Sequence, residues 1–169
     1  EVMAIGRTFK ESLQKAIRSL ELNLNGLSSR EGLDRGIPEG IDREQVVESV
    51  RQHLRTPIAE RLWHVADAMR LGLSNEDLFA LTKIDPWFLE QIREVEMLRT
   101  KLGEGSADSV TRDELWDAKR AGISDRRLAD MWNLSQEQVF ELRRRHGVRP
   151  VFKRVDTCAA EFATPTAYM

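Results

Sequence analysis

Three histidines, His53, His64 and His146, are the side chains in this sequence best suited to metal or proton chemistry. A zinc site on one helix takes two histidines three or four residues apart, so that both project from the same face. No two histidines here have that spacing, and the single cysteine, Cys158, cannot build a thiolate cage alone. No nucleophile-elbow motif of the Gly-x-Ser-x-Gly type is present either. The sequence therefore predicts no metal, catalytic or cofactor-binding residues.

A basic run, Arg143-Arg144-Arg145-His146, follows a helix, a Gly-containing turn and a second helical segment. This order resembles a helix-turn-helix, so a nucleic-acid or protein binding module is the alternative hypothesis. The chain as a whole carries 26 basic and 28 acidic residues, a net charge of -2. Affinity for nucleic acid comes from neutralising several phosphates at once, and this charge balance does not supply it. No nucleic-acid partner is predicted.

Aromatic side chains offer the best candidates for contact with another protein. Packing in the core explains most tryptophans on helices, but aromatic residues are also enriched at protein interfaces. The candidate interface residues are Trp63, Trp87, Phe88, Trp116 and Trp132.

Helix-capping residues predict where the helices carrying these side chains begin, because their oxygens can accept hydrogen bonds from the first-turn amides. The predicted starts are Thr8, Asp42, Thr56-Pro57, Ser74, Asp85-Pro86, Thr111, Ser124 and Ser135. Residues 1–7 begin with an apolar run that could form a strand, and residues 148–155 predict an extended segment. Residues 26–42 are rich in glycine and lack the Lys-Ser/Thr pair of a phosphate-binding loop, so they predict a linker.

An internal repeat relates two parts of the chain. Asp67–Asn75 aligns with Asp117–Asp125, and the similarity continues through the capped helices that follow. Each copy places glycine where a helix ends and serine where the next one starts. Two copies can bury their apolar faces on each other. The predicted fold is all-α, a compact helical bundle built on this internal two-fold repeat, with short extended segments at both ends.

Composition narrows the class of protein further. A chain of 169 residues with 41% hydrophobic residues can form a real core. One cysteine excludes a disulfide framework and favours a reducing compartment, so a cytoplasmic location is predicted. No apolar run is long enough for a membrane span, and no membrane partner is predicted. The chain begins at Glu1 and ends at Met169 without a flexible tail, so a piece of a longer protein is expected.

Two segments resemble one family. Residues 1–16, with Glu-Val-Met-Ala-Ile-Gly-Arg-Thr and then Glu-Ser-Leu-Gln-Lys-Ala, resemble the end of the first ATP-grasp synthetase unit of carbamoyl-phosphate synthetase large chains. Residues 152–162, Phe-Lys-Arg-Val-Asp-Thr-Cys-Ala-Ala-Glu-Phe, resemble the start of the second unit. The helical part between them, residues 43–147, is similar to the oligomerisation domain of the same family, most visibly at 66–68 and 85–92.

This resemblance implies a non-catalytic connecting and oligomerisation domain. The parent enzyme, a ligase of arginine and pyrimidine biosynthesis, would make carbamoyl phosphate from bicarbonate, glutamine-derived ammonia and two ATP. Its ATP, magnesium or manganese, and potassium would bind in the ATP-grasp units, so no cofactor is expected in this chain. The implied partners are the flanking synthetase units, a glutaminase small chain and further copies of the same chain.

The resemblance also implies domain limits. Residues 1–25 would be the end of the first synthetase unit, 26–42 a linker, 43–150 the oligomerisation domain and 151–169 the start of the second unit. Asp156 and Glu161 would lie near the border across which the carbamate intermediate passes, without a catalytic role.

Overall fold

The computed structural model describes residues 2–22, 24–154, 156 and 161. Within these residues the chain forms eight α-helices and no strand, which confirms the all-α prediction. The helices are α1 (Phe9–Ser19), α2 (Arg43–Arg55), α3 (Arg61–Arg70), α4 (Asn75–Thr82), α5 (Pro86–Glu104), α6 (Arg112–Arg120), α7 (Asp125–Trp132) and α8 (Gln136–Arg145). Residues 2–6 and 148–154 have neither helix nor strand, so the strand considered for residues 1–7 does not form in the part that is described.

The chain divides into two compact units, and the boundary falls within α5. The central unit comprises Leu27–Leu98, and the terminal unit comprises Glu1–Gly26 with Arg99–Met169. In the central unit α2 packs on α3 and on α4. Its core consists of apolar side chains with almost no exposed surface, among them Val50, Leu54, Val65, Leu78, Leu89 and Val95.

In the terminal unit α7 packs on α8, and Leu115, Leu128 and Val139 are fully buried. Helix α1 lies against the turn after α6, where Arg18 Nη1 donates a hydrogen bond to the carbonyl oxygen of Gly122 at 2.7 Å. Each unit therefore has apolar residues of its own to bury, as a stable layer of helices requires.

Most helices begin at the predicted caps. Asp42, Ser74, Thr111, Ser124 and Ser135 each accept a hydrogen bond from a first-turn amide. Such a bond satisfies a backbone donor that the helix cannot satisfy itself, which is why these residue types mark helix starts.

Thr8 also caps its helix, but the pairing differs from the predicted box. The hydroxyl of Thr8 accepts from the amide of Glu11 at 3.2 Å. The Glu11 carboxylate in turn accepts from the amide of Arg7, at 2.9 Å, rather than from that of Thr8. Thr8 therefore caps α1, but the Glu11 carboxylate accepts from the amide one residue before the cap.

The predicted start at Thr56-Pro57 is wrong. Thr56 ends α2, and α3 begins only at Arg61, after Glu60, which makes no side-chain capping bond. The guanidinium of Arg61 instead donates to the carbonyl oxygen of Leu54 at 2.9 Å, at the end of α2. Such a hydrogen bond satisfies a carbonyl at the end of α2, so the connection from α2 to α3 is held although Pro57 is not helical.

The two repeat copies make the same local turn. Gly72 and Gly122 adopt φ of 90° and 85°, a region that favours glycine. In both copies the amide that follows the glycine donates to the carbonyl five residues earlier at 3.0 Å. Ser74 and Ser124 then cap the next helix. One copy belongs to the central unit and the other to the terminal unit, and a two-fold packing of the copies stays a prediction.

No helix in the described part of the chain is long and apolar enough to cross a membrane.

Candidate interaction surface and buried charged clusters

An exposed aromatic pair stands at the start of α5. Trp87 is 55% exposed and Phe88 is 42% exposed, and their rings meet edge to face with centroids 5.0 Å apart. Asp85 positions the pair, because its carboxylate accepts from the amide of Trp87 at 2.8 Å while Pro86 occupies the first helical position. Such an arrangement holds two large apolar rings in a fixed orientation at the surface.

Two other predicted interface residues lie in the terminal unit. Trp116 is 37% exposed, and the guanidinium of Arg112 lies over its ring at 5.5 Å. Trp132 is half-buried, and its indole N–H donates to the carbonyl oxygen of Leu102 at 2.9 Å. Trp132 therefore already has a structural role. The guanidinium of Arg112 covers one face of the Trp116 ring.

Trp63 does not lie at the surface. It is 2% exposed, in the core of the central unit, and its role at an interface stays a prediction. A helical pattern alone could not distinguish it from Trp87, because both fall on amphipathic segments.

Asp156 and Glu161, predicted at the border of the second synthetase unit, are both exposed. The residues around them, Val155, 157–160 and 162–169, lie outside the described part of the chain. The role predicted for the two carboxylates stays a prediction.

Two arginines of the basic run at the end of α8 are engaged in ion pairs. Arg143 is 8% exposed and contacts the carboxylate of Asp125 at 2.7 Å. The other oxygen of Asp125 accepts from Lys119 Nζ at 2.8 Å. Arg144 pairs with Glu141 at 3.2 Å. Arginines paired with carboxylates are not available to neutralise phosphates, so the helix-turn-helix alternative is not favoured.

A buried ionic cluster lies at the centre of the central unit. Arg70, with a side chain 5% exposed, contacts Asp67 at 2.7 Å and Glu96 at 2.9 Å. Asp67 is completely buried. Arg70 also donates to the carbonyl oxygen of Leu27. The partners are hydrogen-bonded as well as opposite in charge, which is the condition under which buried charges are tolerated.

The same cluster anchors part of the predicted linker. The second oxygen of Asp67 accepts from the backbone amide of Arg30 at 3.0 Å and from that of Glu31 at 3.4 Å. Leu27 and Leu33 are each 3% exposed. Residues 27–33 are therefore fixed to α3 by buried contacts, although they form no regular element. No local pattern predicts this attachment, because the contacts join residues nearly forty positions apart.

Beside this segment the structure brings together two histidines and a carboxylate. His53 on α2 and His64 on α3 stack, with ring centroids 4.3 Å apart and an interplanar angle of 12°. Their Nδ1 atoms lie 3.6 and 3.7 Å from the same oxygen, Oε1 of Glu31. Among the described residues this is the one group of three side chains whose atoms are close enough to hold a metal ion.

Burial favours the neutral form of His64. The side chain of His64 is 6% exposed, that of His53 is 44% exposed and that of Glu31 is 27% exposed. Burial lowers the pKa of His64, and the neighbouring His53 lowers that pKa further, although Glu31 opposes both effects. His64 is therefore neutral near pH 7, with one ring nitrogen able to accept. Sequence spacing missed this cluster, since the histidines lie on different helices.

Comparison with known proteins places the chain in a family. Residues 1–147 match the family described as carbamoyl-phosphate synthetase large chain, oligomerisation domain. Over 169 residues, the whole of this chain, it is 48% identical to the carbamoyl phosphate synthase large chain of Xanthomonas campestris pv. campestris. Over the full length of this chain, it is also 46% identical to the large chain of Pseudomonas syringae pv. tomato and 44% identical to that of Vibrio cholerae.

The chain spans 15% of the length of each of these relatives. The match covers all the described helices, and the resemblance found at 1–16 and 43–147 falls within the matched residues. The chain thus belongs to the carbamoyl-phosphate synthetase large-chain family, in which it is an oligomerisation domain.

Proposed function

We propose that this chain connects the two synthetase units of a carbamoyl-phosphate synthetase large chain and joins that chain to further copies of itself. The observation that carries the proposal is the match of residues 1–147 to the oligomerisation domain of that family. The parent reaction would produce carbamoyl phosphate from bicarbonate, glutamine-derived ammonia and two ATP. Nucleotide and metal ions would bind in the synthetase units, and a glutaminase small chain would deliver the ammonia.

A helical block suits the connecting role for a physical reason. A labile carbamate must pass between two reaction sites without being hydrolysed by water. The units on either side must therefore keep a fixed register, and a flexible linker does not hold one. The contacts of the buried Arg70 cluster support this role, because they fix residues 27–33 of the predicted Gly-rich linker to α3.

For the oligomerising role we assign the exposed pair Trp87 and Phe88 as the contact with a second copy of this chain. Two adjacent aromatic rings held edge to face give a large apolar area at little cost in side-chain entropy. Homo-oligomers prefer isologous contacts, in which the same surface of both copies meets. A protruding aromatic pair at one helix start can form such a contact.

Sedimentation equilibrium of the chain over a wide concentration range tests the assembly. The expected result is a mass that rises from the 19.4 kDa monomer towards a multiple of it. Replacing Trp87 and Phe88 together by alanine should weaken association by about 30-fold or more, the effect of losing about 2 kcal/mol at an interface hot spot.

Phe140→Ala is the matched control. Phe140 is 47% exposed and lies on α8 of the terminal unit, so its removal takes away an exposed aromatic ring without touching the assigned contact. A constant monomer mass at every concentration would contradict self-association through this chain. Equal losses in the two variants would contradict the assignment to Trp87 and Phe88.

A further inference from the structure

The Nδ1 atoms of His53 and His64 are buried, and neither has a hydrogen-bond partner among the described residues. Both lie within 3.7 Å of one carboxylate oxygen of Glu31, just beyond the length of a hydrogen bond. Buried polar atoms without partners are rare in folded proteins and call for an ion, a water molecule or a functional explanation. Two such atoms converging on one carboxylate point to a missing shared partner.

We propose that Glu31, His53 and His64 bind a divalent cation of the zinc class. Imidazole nitrogen and carboxylate oxygen are the ligand types that such cations prefer, and two histidines with one glutamate form a recognised three-ligand set. Hard cations such as Mg²⁺ prefer oxygen ligands and would bind this set less well.

Two of the three distances between ligand atoms fit a zinc ion after a small closure. Ligands about 2.0–2.1 Å from a tetrahedral zinc ion lie roughly 3.3 Å from each other. The two Nδ1 to Oε1 distances, 3.6 and 3.7 Å, exceed that separation by a few tenths of an ångström. All three ligand atoms lie within 4.8 Å of one another.

One of the two rings must also turn, because an imidazole lone pair lies in the plane of its ring and stacked rings do not point at one common atom. The exposed fractions show which groups have room to do so. The side chain of His53 is 44% exposed and that of Glu31 is 27% exposed, whereas that of His64 is only 6% exposed. His64 is therefore the fixed ligand, and His53 and Glu31 close around the ion.

The contacts around Glu31 also favour a metal site. The backbone of Glu31 is oriented by Asp67, whose carboxylate accepts from its amide at 3.4 Å. Outer-sphere contacts of this kind hold ligands in place in known metal sites. The ion would tie the segment around Glu31 to α2 and α3, the three parts of the central unit that supply the ligands.

Titration of the metal-stripped chain, without any affinity tag, tests the proposal. The probes are Zn²⁺, followed by calorimetry, and Co²⁺, followed by its visible absorption. The expected result is one ion per chain and a thermal midpoint that rises by roughly 5 °C or more at a hundredfold excess over Kd. Cys158→Ser should leave the binding unchanged, which separates this cluster from the only thiol.

Variants of the ligands complete the test. His53→Gln and Glu31→Gln, at partly exposed positions, should each weaken binding by about tenfold or more. His64→Gln should abolish it, with circular dichroism to verify that the variant is folded. His146→Gln is the matched control and should bind the ion as tightly as the unsubstituted chain does. Absence of a one-to-one complex, binding lost in Cys158→Ser or His146→Gln, or binding unchanged in His53→Gln would each overturn the proposal.

Discussion

Gly122 lies directly against Gln14: a Cβ atom at position 122 would be 2.8 Å from the Cβ of Gln14 and 3.3 Å from the Cα of Glu11. No flexible side-chain end can move away there, since the contacts are to atoms at or next to the backbone of α1. Gly72, at the equivalent position of the first repeat copy, has only the guanidinium of Arg43 near it, at 3.7 Å.

These two glycines give a matched pair of substitutions. Gly72→Ala should lower the free energy of unfolding by about 1–2 kcal/mol, the cost of a left-handed conformation for a residue with a Cβ. Gly122→Ala should cost more, about 3 kcal/mol or above, because overpacking against α1 adds to the same backbone cost. Urea unfolding of both variants measures the difference. Equal losses would mean that α1 does not pack closely on this turn.

The buried ionic cluster should be far more sensitive than an ion pair at the surface. Asp67→Ala leaves Arg70 buried with one partner fewer and frees the backbone amide of Arg30, so we expect a loss of about 3–5 kcal/mol. Glu48→Ala breaks the exposed pair with Arg55, which has an N–O distance of 3.2 Å. That variant should lose less than about 1 kcal/mol. Denaturant unfolding compares them, and a small effect of Asp67→Ala would show that the 27–33 segment is not held as described.

Acid should weaken the start of α6 progressively as the pH falls from 4.5 towards 2. The pKa of Glu114 is lowered to about 2 by a hydrogen bond from the backbone amide of Thr111, and then by bonds from the Lys101 ammonium and the Thr111 hydroxyl. Because the folded-state pKa lies below the ordinary value of 4.5, the contribution of Glu114 to stability is complete above that pH and is lost as the pH falls towards 2.

Carboxyl NMR titration measures this pKa directly. Lys101→Ala and Thr111→Ala should each raise the pKa of Glu114 part of the way to its ordinary value, since the amide at position 111 still donates. Glu114→Gln should remove this part of the pH dependence of stability. A Glu114 midpoint near 4.5 in the parent chain would contradict the capping box.

Local signals predicted the helices well, because capping is local chemistry. Ser74, Thr111 and Ser135 all cap helices through bonds to residues three positions away. Thr56-Pro57 failed for a non-local reason: the side chain of Arg61 satisfies the end of α2, and the helix starts four residues later. Sequence order does not reveal which arginine reaches which carbonyl.

The candidate site shows the same limit. Trp87 and Phe88 were recognisable as candidates from residue type, but only the packing separates them from the buried Trp63. The cluster of Glu31 and the two stacked histidines was missed altogether, since its members come from a loop and two different helices. The helical spacing rule for histidine ligands applies within one helix and does not detect ligands that tertiary packing brings together.

If this chain joins copies of a carbamoyl-phosphate synthetase large chain through Trp87 and Phe88 on α5, as we propose, replacing that pair should separate the copies. Sedimentation velocity can compare the intact large chain that carries this sequence with its Trp87→Ala, Phe88→Ala double variant. We expect an oligomer for the unsubstituted protein and a monomer that is still folded for the double variant. The same oligomer in both proteins, or a monomer for the parent at every concentration, would contradict it.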